Sequence, residues 1–146
     1  MAHRGQTIEN AATGERITFV ATAADTGGAL LVMDDVWTRP GHRAPEHVHP
    51  ELEERWLVVS GRARFRVGDV EVEAGPGEEV TAPLGTPHVA WNPTDGEVRL
   101  RIEMRPALRW EEFVERLFAA GDDGGALAAL LREFSREVRL VRGAPR

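Results

Sequence analysis

The sequence predicts an all-β fold, a sandwich or barrel of short antiparallel strands, followed by a pair of helices. Three observations predict this arrangement. Between about residues 16 and 106, short apolar runs alternate with polar residues, which is typical of strands with one buried face. Gly and Pro separate these runs at regular spacing, as turns do in sandwiches and barrels. After Pro106 the apolar residues recur at helical spacing instead.

The first segment, residues 1–15, is polar and rich in small residues, and it is predicted as an N-terminal arm or an edge strand. Residues 16–106 are predicted as the barrel. Two of its clearest strands meet at Ser60-Gly61, and the stretch "RARFRV" that follows alternates strictly between arginine and apolar residues. The stretch "EVRLRIEMRP" near the end of this segment alternates in the same way. Each of these strands therefore has one predicted apolar face.

Residues 107–146 are predicted as a helical extension that packs on the barrel or on a dimer partner. A first apolar stripe with the spacing i, i+3, i+4, i+7 and i+8 consists of Trp110, Phe113, Val114, Leu117 and Phe118. The stretch "GDDGG" then interrupts the pattern, with Asp122 or Asp123 as the candidate N-cap. A second stripe consists of Leu127, Leu130, Leu131, Phe134 and Val138. Two helices this short are marginally stable alone, so we expect both stripes to pack against protein.

Length and composition exclude several classes of protein. The 146 residues suffice for one domain with a sizeable core. The net charge of −6 disfavours nucleic acid as a partner, because phosphate binding needs a positive surface. No apolar run approaches the length of a membrane span, and the N-terminus lacks the apolar core of a signal peptide. Cysteine is absent, which excludes disulfides and thiolate chemistry. We therefore expect a cytoplasmic protein that binds neither nucleic acid nor membrane.

Histidines cluster where the third apolar run begins. His47 and His49 are separated by one residue, and in an extended chain this spacing puts both imidazoles on one face. Two imidazoles on one face can hold one metal ion, and a nearby carboxylate can add an oxygen ligand. Sequence spacing alone does not choose among the acidic residues in reach, which are Asp35, Glu46, Glu51, Glu53 and Glu54.

A second segment offers a further ligand. His88 directly follows a turn rich in Gly and Pro and stands at the head of a strand, where a stiff turn can fix its position. Three imidazole nitrogens and one carboxylate suit a divalent iron, manganese, nickel, copper or zinc ion and leave coordination positions open. His3 and His42 fit neither segment and are interpreted as surface residues.

The two histidine segments resemble the paired motifs of the cupin superfamily. The first motif, G-x5-H-x-H-x3,4-E-x6-G, is matched by Gly41, His47, His49, Glu54 and Gly61. The second, G-x5-P-x-G-x2-H-x3-N, is matched by Gly77, Pro83, Gly85, His88 and Asn92. The resemblance implies a small antiparallel barrel, the double-stranded β-helix or jelly roll. It also implies one divalent transition metal ion held by His47, His49, Glu54 and His88, because from Glu54 the following glycine falls at the family distance.

Strand periodicity indicates which side chains share the interior of the barrel with the candidate metal ligands. Trp56 and Val58 share the face of Glu54, and Asn92 shares the face of His88, because each is an even number of residues away. Phe65 and Met104 are candidates for the same interior. These five residues either line an apolar pocket around the metal or simply fill the barrel.

The resemblance extends to small one-domain metal cupins of the quercetin-dioxygenase-like type. It implies an oxygenase acting on a small molecule with two neighbouring oxygen donors, such as a flavonol or a 1,3-diketone. A metal-dependent isomerase or decarboxylase of a small sugar or acid is the alternative, and so is a non-catalytic module that binds a small ligand. No catalytic residue is assigned, and whether the protein is an enzyme stays open. The family also implies a homodimer.

Overall fold

The alternating runs of the sequence form strands in the computed structural model, which describes residues 2–141. Among the described residues the strands are β1 Thr7–Glu9, β2 Arg16–Ala21, β3 Leu31–Trp37, β4 His47–Val48, β5 Glu53–Ser60, β6 Ala63–Val67, β7 Val70–Ala74, β8 Glu79–Ala82, β9 His88–Trp91, β10 Val98–Arg105 and β11 Arg139–Leu140. The helices are α1 Ala23–Thr26, α2 Trp110–Ala120 and α3 Gly124–Glu133. Met1 and residues 142–146, the outer ends of the predicted arm and helical extension, lie outside the described residues.

The strands pair into two antiparallel sheets. The larger sheet has the order β1-β2-β3-β10-β5-β8, and the smaller one has the order β11-β4-β9-β6-β7. The predicted all-β barrel with helices after it is confirmed. The boundaries of the arm, the barrel and the extension as separate units stay a prediction.

The barrel interior is built from the alternating faces of the central strands. In β10 the buried residues are Val98, Leu100, Ile102 and Met104, the apolar face that the sequence predicts. Strand β5 buries Glu54, Trp56 and Val58 in the same alternation. A carboxylate therefore stands in line with the core residues of its strand, facing the inside of the barrel.

The helices cover the barrel with the stripes that the sequence predicts. Val114 and Phe118 of α2 join the barrel core, whereas Phe113 packs in a second cluster with Leu130, Phe134 and Val138. Asp123 caps α3, because its Oδ1 accepts the N–H of Ala126 over 3.0 Å. Helix α3 ends at Glu133, so Phe134 and Val138 pack from the turn that follows it. No helix among residues 2–141 has the length and apolar character needed to cross a membrane.

All four motif glycines adopt a left-handed backbone, among them Gly61 with φ of +79° and Gly85 with φ of +75°. At Gly61 an added Cβ would stand 2.6 Å from the Glu97 carbonyl oxygen and 3.2 Å from the Val98 Cα. At Gly85 an added Cβ would meet nothing within 4 Å. Both turns need glycine for their backbone angle, but only the turn after β5 also needs it for space.

These two glycines allow a matched test of the turn after β5. Gly85→Ala is expected to lower the free energy of unfolding by about 1–2 kcal/mol, the cost of a left-handed alanine. Gly61→Ala is expected to cost about 1–3 kcal/mol more, because the methyl group clashes with backbone atoms that have little freedom to move. Urea unfolding of both variants measures the difference. Equal losses would contradict the close packing of Gly61 against β10.

Candidate metal centre

Three imidazoles and one carboxylate from distant parts of the chain meet inside the barrel. His47 lies in β4, His49 directly follows that strand, Glu54 lies in β5 and His88 begins β9. One ligand atom from each of the four side chains lies within 4.8 Å of the others. These four side chains are therefore positioned to bind a single metal ion.

Backbone pairing brings the histidines together. His47 and His88 stand opposite each other in the antiparallel pair of β4 and β9. Gly85, in the turn before β9, donates its N–H to the His49 carbonyl oxygen over 2.9 Å. The turn rich in Gly and Pro thus fixes His88 against the segment that carries the other two histidines.

A backbone carbonyl orients each imidazole. The distances from Nδ1 to the carbonyl oxygen are 2.8 Å for His47 and Pro45, 2.8 Å for His49 and Glu137, and 2.9 Å for His88 and Thr86. Because a carbonyl oxygen only accepts hydrogen bonds, the ring proton of each neutral histidine is on Nδ1. Each Nε2 atom then carries a lone pair, which is the form that binds a metal ion.

These lone pairs converge on the Glu54 carboxylate. Glu54 Oε1 lies 2.8 Å from His49 Nε2 and 3.3 Å from His88 Nε2. His88 Nε2 is buried and makes no hydrogen bond with any described residue. Acceptors this close repel each other unless a proton or a cation lies between them. Imidazole nitrogen and carboxylate oxygen are ligands of iron, manganese, nickel, copper and zinc, so the four side chains fit a divalent transition metal.

The charges of the site also suit a divalent cation. Burial, together with the neighbouring rings of His88 and His49, lowers the pKa of His47 to about 4, so this ring is neutral at pH 7. Burial alone would raise the pKa of Glu54, but the neighbouring His49 and His88 rings outweigh burial and lower it. Burial opposes a charge on His88, yet the Glu54 carboxylate raises the pKa of that ring. The site thus holds an ionised carboxylate that attracts either a proton or a metal ion.

The segment after the barrel supports one of the ligands. The Glu137 carbonyl that orients His49 belongs to the turn after α3. Strand β11 pairs with β4 and places Leu140 opposite His47. The Trp110 ring of α2 meets the His49 ring edge-on, with 5.0 Å between centroids. The helical segment therefore contacts the metal ligands directly.

A cavity of about 380 Å³ adjoins the site. Its wall includes His47 and Glu54 but neither His49 nor His88. Most of the wall is apolar or aromatic, with contributions from the barrel and from the helices that include Met33, Trp56, Met104, Trp110, Phe113 and Phe118. Concave, mostly apolar spaces with a few polar groups are typical of small-molecule sites.

The residues proposed from sequence as a pocket divide between wall and core. Trp56 and Met104 are on the cavity wall. Val58 and Phe65 are fully buried but are not on the wall. Phe65 packs against Trp56, with 5.1 Å between ring centroids, and so supports the wall from behind. Strand periodicity gives the face of a residue, not its depth in the barrel, which is why these two fill the core instead.

Asn92 holds a turn and is not on the cavity wall. Its Nδ2 donates to the carbonyl oxygens of Gly96, over 2.7 Å, and Arg39, over 3.2 Å. Its backbone N–H donates to the His42 carbonyl oxygen over 2.9 Å. The motif asparagine therefore ties the segment before β4 to the end of β9.

A second polar group on the cavity wall consists of Glu15, Asp35 and His42. From the sequence, Asp35 is considered only as a candidate metal ligand, whereas the structure groups Glu54 with the histidines instead. The interpretation of His42 as a surface residue is wrong, because its side chain is 10% exposed and stacks on Trp37 with 5.3 Å between ring centroids. Asp35 is 3% exposed. The signal for Asp35 is its place between Met33 and Trp37 on the inward face of β3, where alternation calls for an apolar residue.

A family comparison agrees with the motifs. Residues 37–104 match the cupin domain family. The matched range includes the four candidate ligands and both glycine-containing motifs, so it supports the superfamily that the motif spacing predicts. The closer resemblance to quercetin dioxygenases stays a prediction.

Solved structures share the cupin fold. KdgF from Halomonas sp. is 17% identical with a TM-score of 0.60, and the match covers 73% of this chain and 94% of that one. An oxalate oxidase in complex with glycolate is 17% identical with a TM-score of 0.58, over 73% of this chain and 59% of that one. A sugar phosphate isomerase of the cupin superfamily from Silicibacter pomeroyi is 23% identical with a TM-score of 0.54, over 66% of this chain and 62% of that one. At these identities the likeness is one of fold. No curated protein matches the chain.

His49→Ala is expected to weaken metal binding at least about 100-fold, because it removes a ligand and not merely a residue that orients one. The thermal midpoint of the metal-supplied protein should fall as well, since bound metal stabilises only the folded state. Competition between the protein and a coloured chelator for Zn²⁺ measures the affinity. His3→Ala, at an exposed histidine, is the matched control. Full metal occupancy in the His49 variant would contradict the ligand assignment.

Asp35→Asn is expected to change how stability depends on pH. Burial, followed by the charge of Glu15, raises the pKa of Asp35 well above its ordinary value of 3.8. The stability that neutral Asp35 contributes is complete below the unfolded-state pKa and is lost as pH rises through the raised pKa. The amide has no proton to lose, so the variant should be more stable than wild type at about pH 8 and similar to it at about pH 4.

Urea unfolding across this pH range measures the effect. Asp34→Asn is the matched control, because Asp34 is the adjacent acid on the outer face and pairs with Arg101 over 2.8 Å. The control should keep the wild-type pH dependence. Parallel curves for wild type and the Asp35 variant would show that Asp35 is not protonated in the folded protein.

Proposed function

We propose that this cupin is a metal-dependent oxygenase acting on a small molecule with two neighbouring oxygen donors, such as a flavonol or a 1,3-diketone. The observation that carries the proposal is the apolar, aromatic cavity of about 380 Å³ that meets the site at His47 and Glu54. A substrate in this cavity would present its oxygen atoms to the side of the site that the protein leaves open. A homodimer and a cytoplasmic location remain expectations from the sequence.

The donor set supports the same proposal. Four protein ligands leave two positions of an octahedral ion for an oxygen-donor pair. When bound, a redox-active divalent ion would supply Lewis-acid stabilisation of the substrate anion and a route for reaction with dioxygen. Glu54 is the one carboxylate of the site, and it lines the cavity, so we assign it the substrate proton. The apolar wall positions the body of the substrate and excludes bulk water.

An isomerase or decarboxylase of a small sugar or acid is the alternative that the same ligands allow. One solved structure of similar fold is a sugar phosphate isomerase and another is an oxalate oxidase. The aromatic wall speaks against a sugar, because a sugar's hydroxyl groups would find few partners there and would lose their hydration. A binding module without turnover would need only the cavity.

Oxygen consumption tests the proposal. Protein freed of metal and reloaded with Fe²⁺, Mn²⁺, Ni²⁺, Cu²⁺ or Zn²⁺ is mixed with a flavonol or with acetylacetone in an oxygen electrode. Uptake is expected with at least one redox-active ion and not with Zn²⁺. Glu54→Gln should lower the rate by about 100-fold or more, the usual loss for a group that handles a proton. Glu53→Gln, at the neighbouring half-exposed acid, should leave the rate unchanged.

The negative outcomes separate the alternatives. No oxygen uptake with any of these ions would overturn the oxygenase. Exchange of a ketose proton with solvent in the Zn²⁺ protein would instead favour the isomerase. Saturable binding of the flavonol without loss of substrate would favour a binding module.

A further inference from the structure

The polar group formed by Glu15, Asp35 and His42 lies apart from the metal ligands. In the register of the larger sheet, Asp35 is opposite Leu100 of β10, whereas Glu54 is opposite Met104 of the same strand. Four residues along a strand correspond to about 13 Å. The cavity therefore has two polar regions along its length, which are still close enough for the charge of Glu54 to act on Asp35.

One oxygen atom of Asp35 receives no hydrogen bond from an N–H or hydroxyl group. Oδ2 accepts the indole N–H of Trp37 over 3.1 Å. Oδ1 is buried and accepts none from residues 2–141, and its polar neighbour Glu15 is another carboxyl group, which can bond to it only through a shared proton. The whole residue is 3% exposed and lies on the cavity wall. A buried carboxyl oxygen without a partner is unfavourable, and a ligand that bonds to it would remove that cost.

The acceptor that Trp37 needs is one oxygen atom, and the cross-strand neighbours of Asp35 give no reason for the second. Its neighbours across the sheet are Ile17 on β2 and Leu100 on β10, and both are buried apolar residues. An aliphatic side chain would continue the pattern of the inward face. A residue that breaks a local rule in an otherwise consistent barrel is a candidate for a functional role.

Glu15 and His42 complete the group and determine what it can bind. His42 Nε2 lies 3.8 Å from Glu15 Oε1, and the ring is held flat against Trp37. Burial lowers the pKa of His42, although Glu15 opposes the effect. With a neutral imidazole and two carboxyl groups, these three side chains offer no positive charge to hold a carboxylate or a phosphate. A hydroxyl group fits, because it can both donate and accept a hydrogen bond.

We propose that Glu15, Asp35 and His42 form a second ligand subsite, which binds a hydroxyl group on an otherwise apolar, aromatic ligand. The hydroxyl accepts a hydrogen bond from the protonated Asp35 carboxyl at Oδ1 and donates one to the Glu15 carboxylate, while the aromatic wall contacts the body of the ligand. The ligand carries no negative charge at this end. The proposal rests on the proposed function only for the other end of the ligand, where the oxygen donors meet the metal, since binding the hydroxyl needs no metal.

A pair of probes that differ by one hydroxyl group tests the subsite. The affinities of 4-ethylphenol and ethylbenzene for the full-length Zn²⁺ protein are measured by ¹⁵N NMR of the tryptophan indole groups. The Trp37 indole signal, assigned with Trp37→Phe, reports on the group because Trp37 donates to Asp35. We expect 4-ethylphenol to bind at least about tenfold more tightly and to shift this signal, as a hydrogen bond to a charged group would produce.

Variants locate the preference. Asp35→Leu is expected to remove the preference for the phenol, and Glu15→Gln is expected to reduce it several-fold while leaving ethylbenzene binding unchanged. Asp34→Asn, on the outer face of the same strand, should keep the wild-type preference. Near-ultraviolet circular dichroism checks that each variant folds, and Glu15→Gln decides the matter if Asp35→Leu does not. Equal affinity for the two probes, no binding of either, or an undiminished preference in the folded variants would overturn the subsite.

Removing the metal separates this inference from the proposed function. The preference for the phenol should persist in protein stripped of Zn²⁺ by a chelator. Acetylacetone lacks the hydroxyl-bearing body and tests only the metal end. Loss of oxygen uptake with a retained phenol preference would overturn the oxygenase and leave the subsite. Oxygen uptake without any phenol preference would overturn the subsite alone.

Discussion

Three backbone carbonyls determine what the centre of this barrel can bind. Each one accepts the Nδ1 proton of a histidine, and each thereby commits the opposite nitrogen to a lone pair. Without them the imidazoles could turn their protons toward Glu54 and donate hydrogen bonds to its carboxylate. With them, acceptor faces acceptor across 2.8 Å and 3.3 Å. The site's affinity for a cation therefore begins in the backbone around it.

The carbonyls come from parts of the chain that otherwise have little in common. Pro45 precedes β4, Thr86 lies in the turn before β9, and Glu137 follows the last helix. The turns and the helical segment thus belong to the function of the barrel as much as its strands do. They also close the cavity, since α2 contributes aromatic residues to the wall that faces the ligands. Exclusion of water from such a space strengthens every electrostatic interaction inside it.

The sequence predicts the strands and both apolar stripes, because these depend on short-range periodicity. It also predicts that His47, His49, Glu54 and His88 meet, because their motif spacing is that of a known family. It does not predict the role of Glu137, because contact between residues 88 positions apart depends on how the helices return to the barrel. The alternation of buried and exposed residues along a strand does not show how deep a side chain lies in the barrel. Val58 and Trp56 therefore look alike in sequence but differ in their access to the cavity. The prediction that His42 lies at the surface is wrong because the burial of this side chain depends on the stacking partner Trp37 and on the turn held by Asn92.

The long separation between His49 and the carbonyl of Glu137 has a consequence for biosynthesis. A chain that is still being translated exposes all three histidines well before residue 137 has left the ribosome. Until then His49 lacks the partner that fixes its tautomer, and the helical cover is missing. The complete set of oriented imidazoles therefore exists only after the chain up to Glu137 has folded onto the barrel.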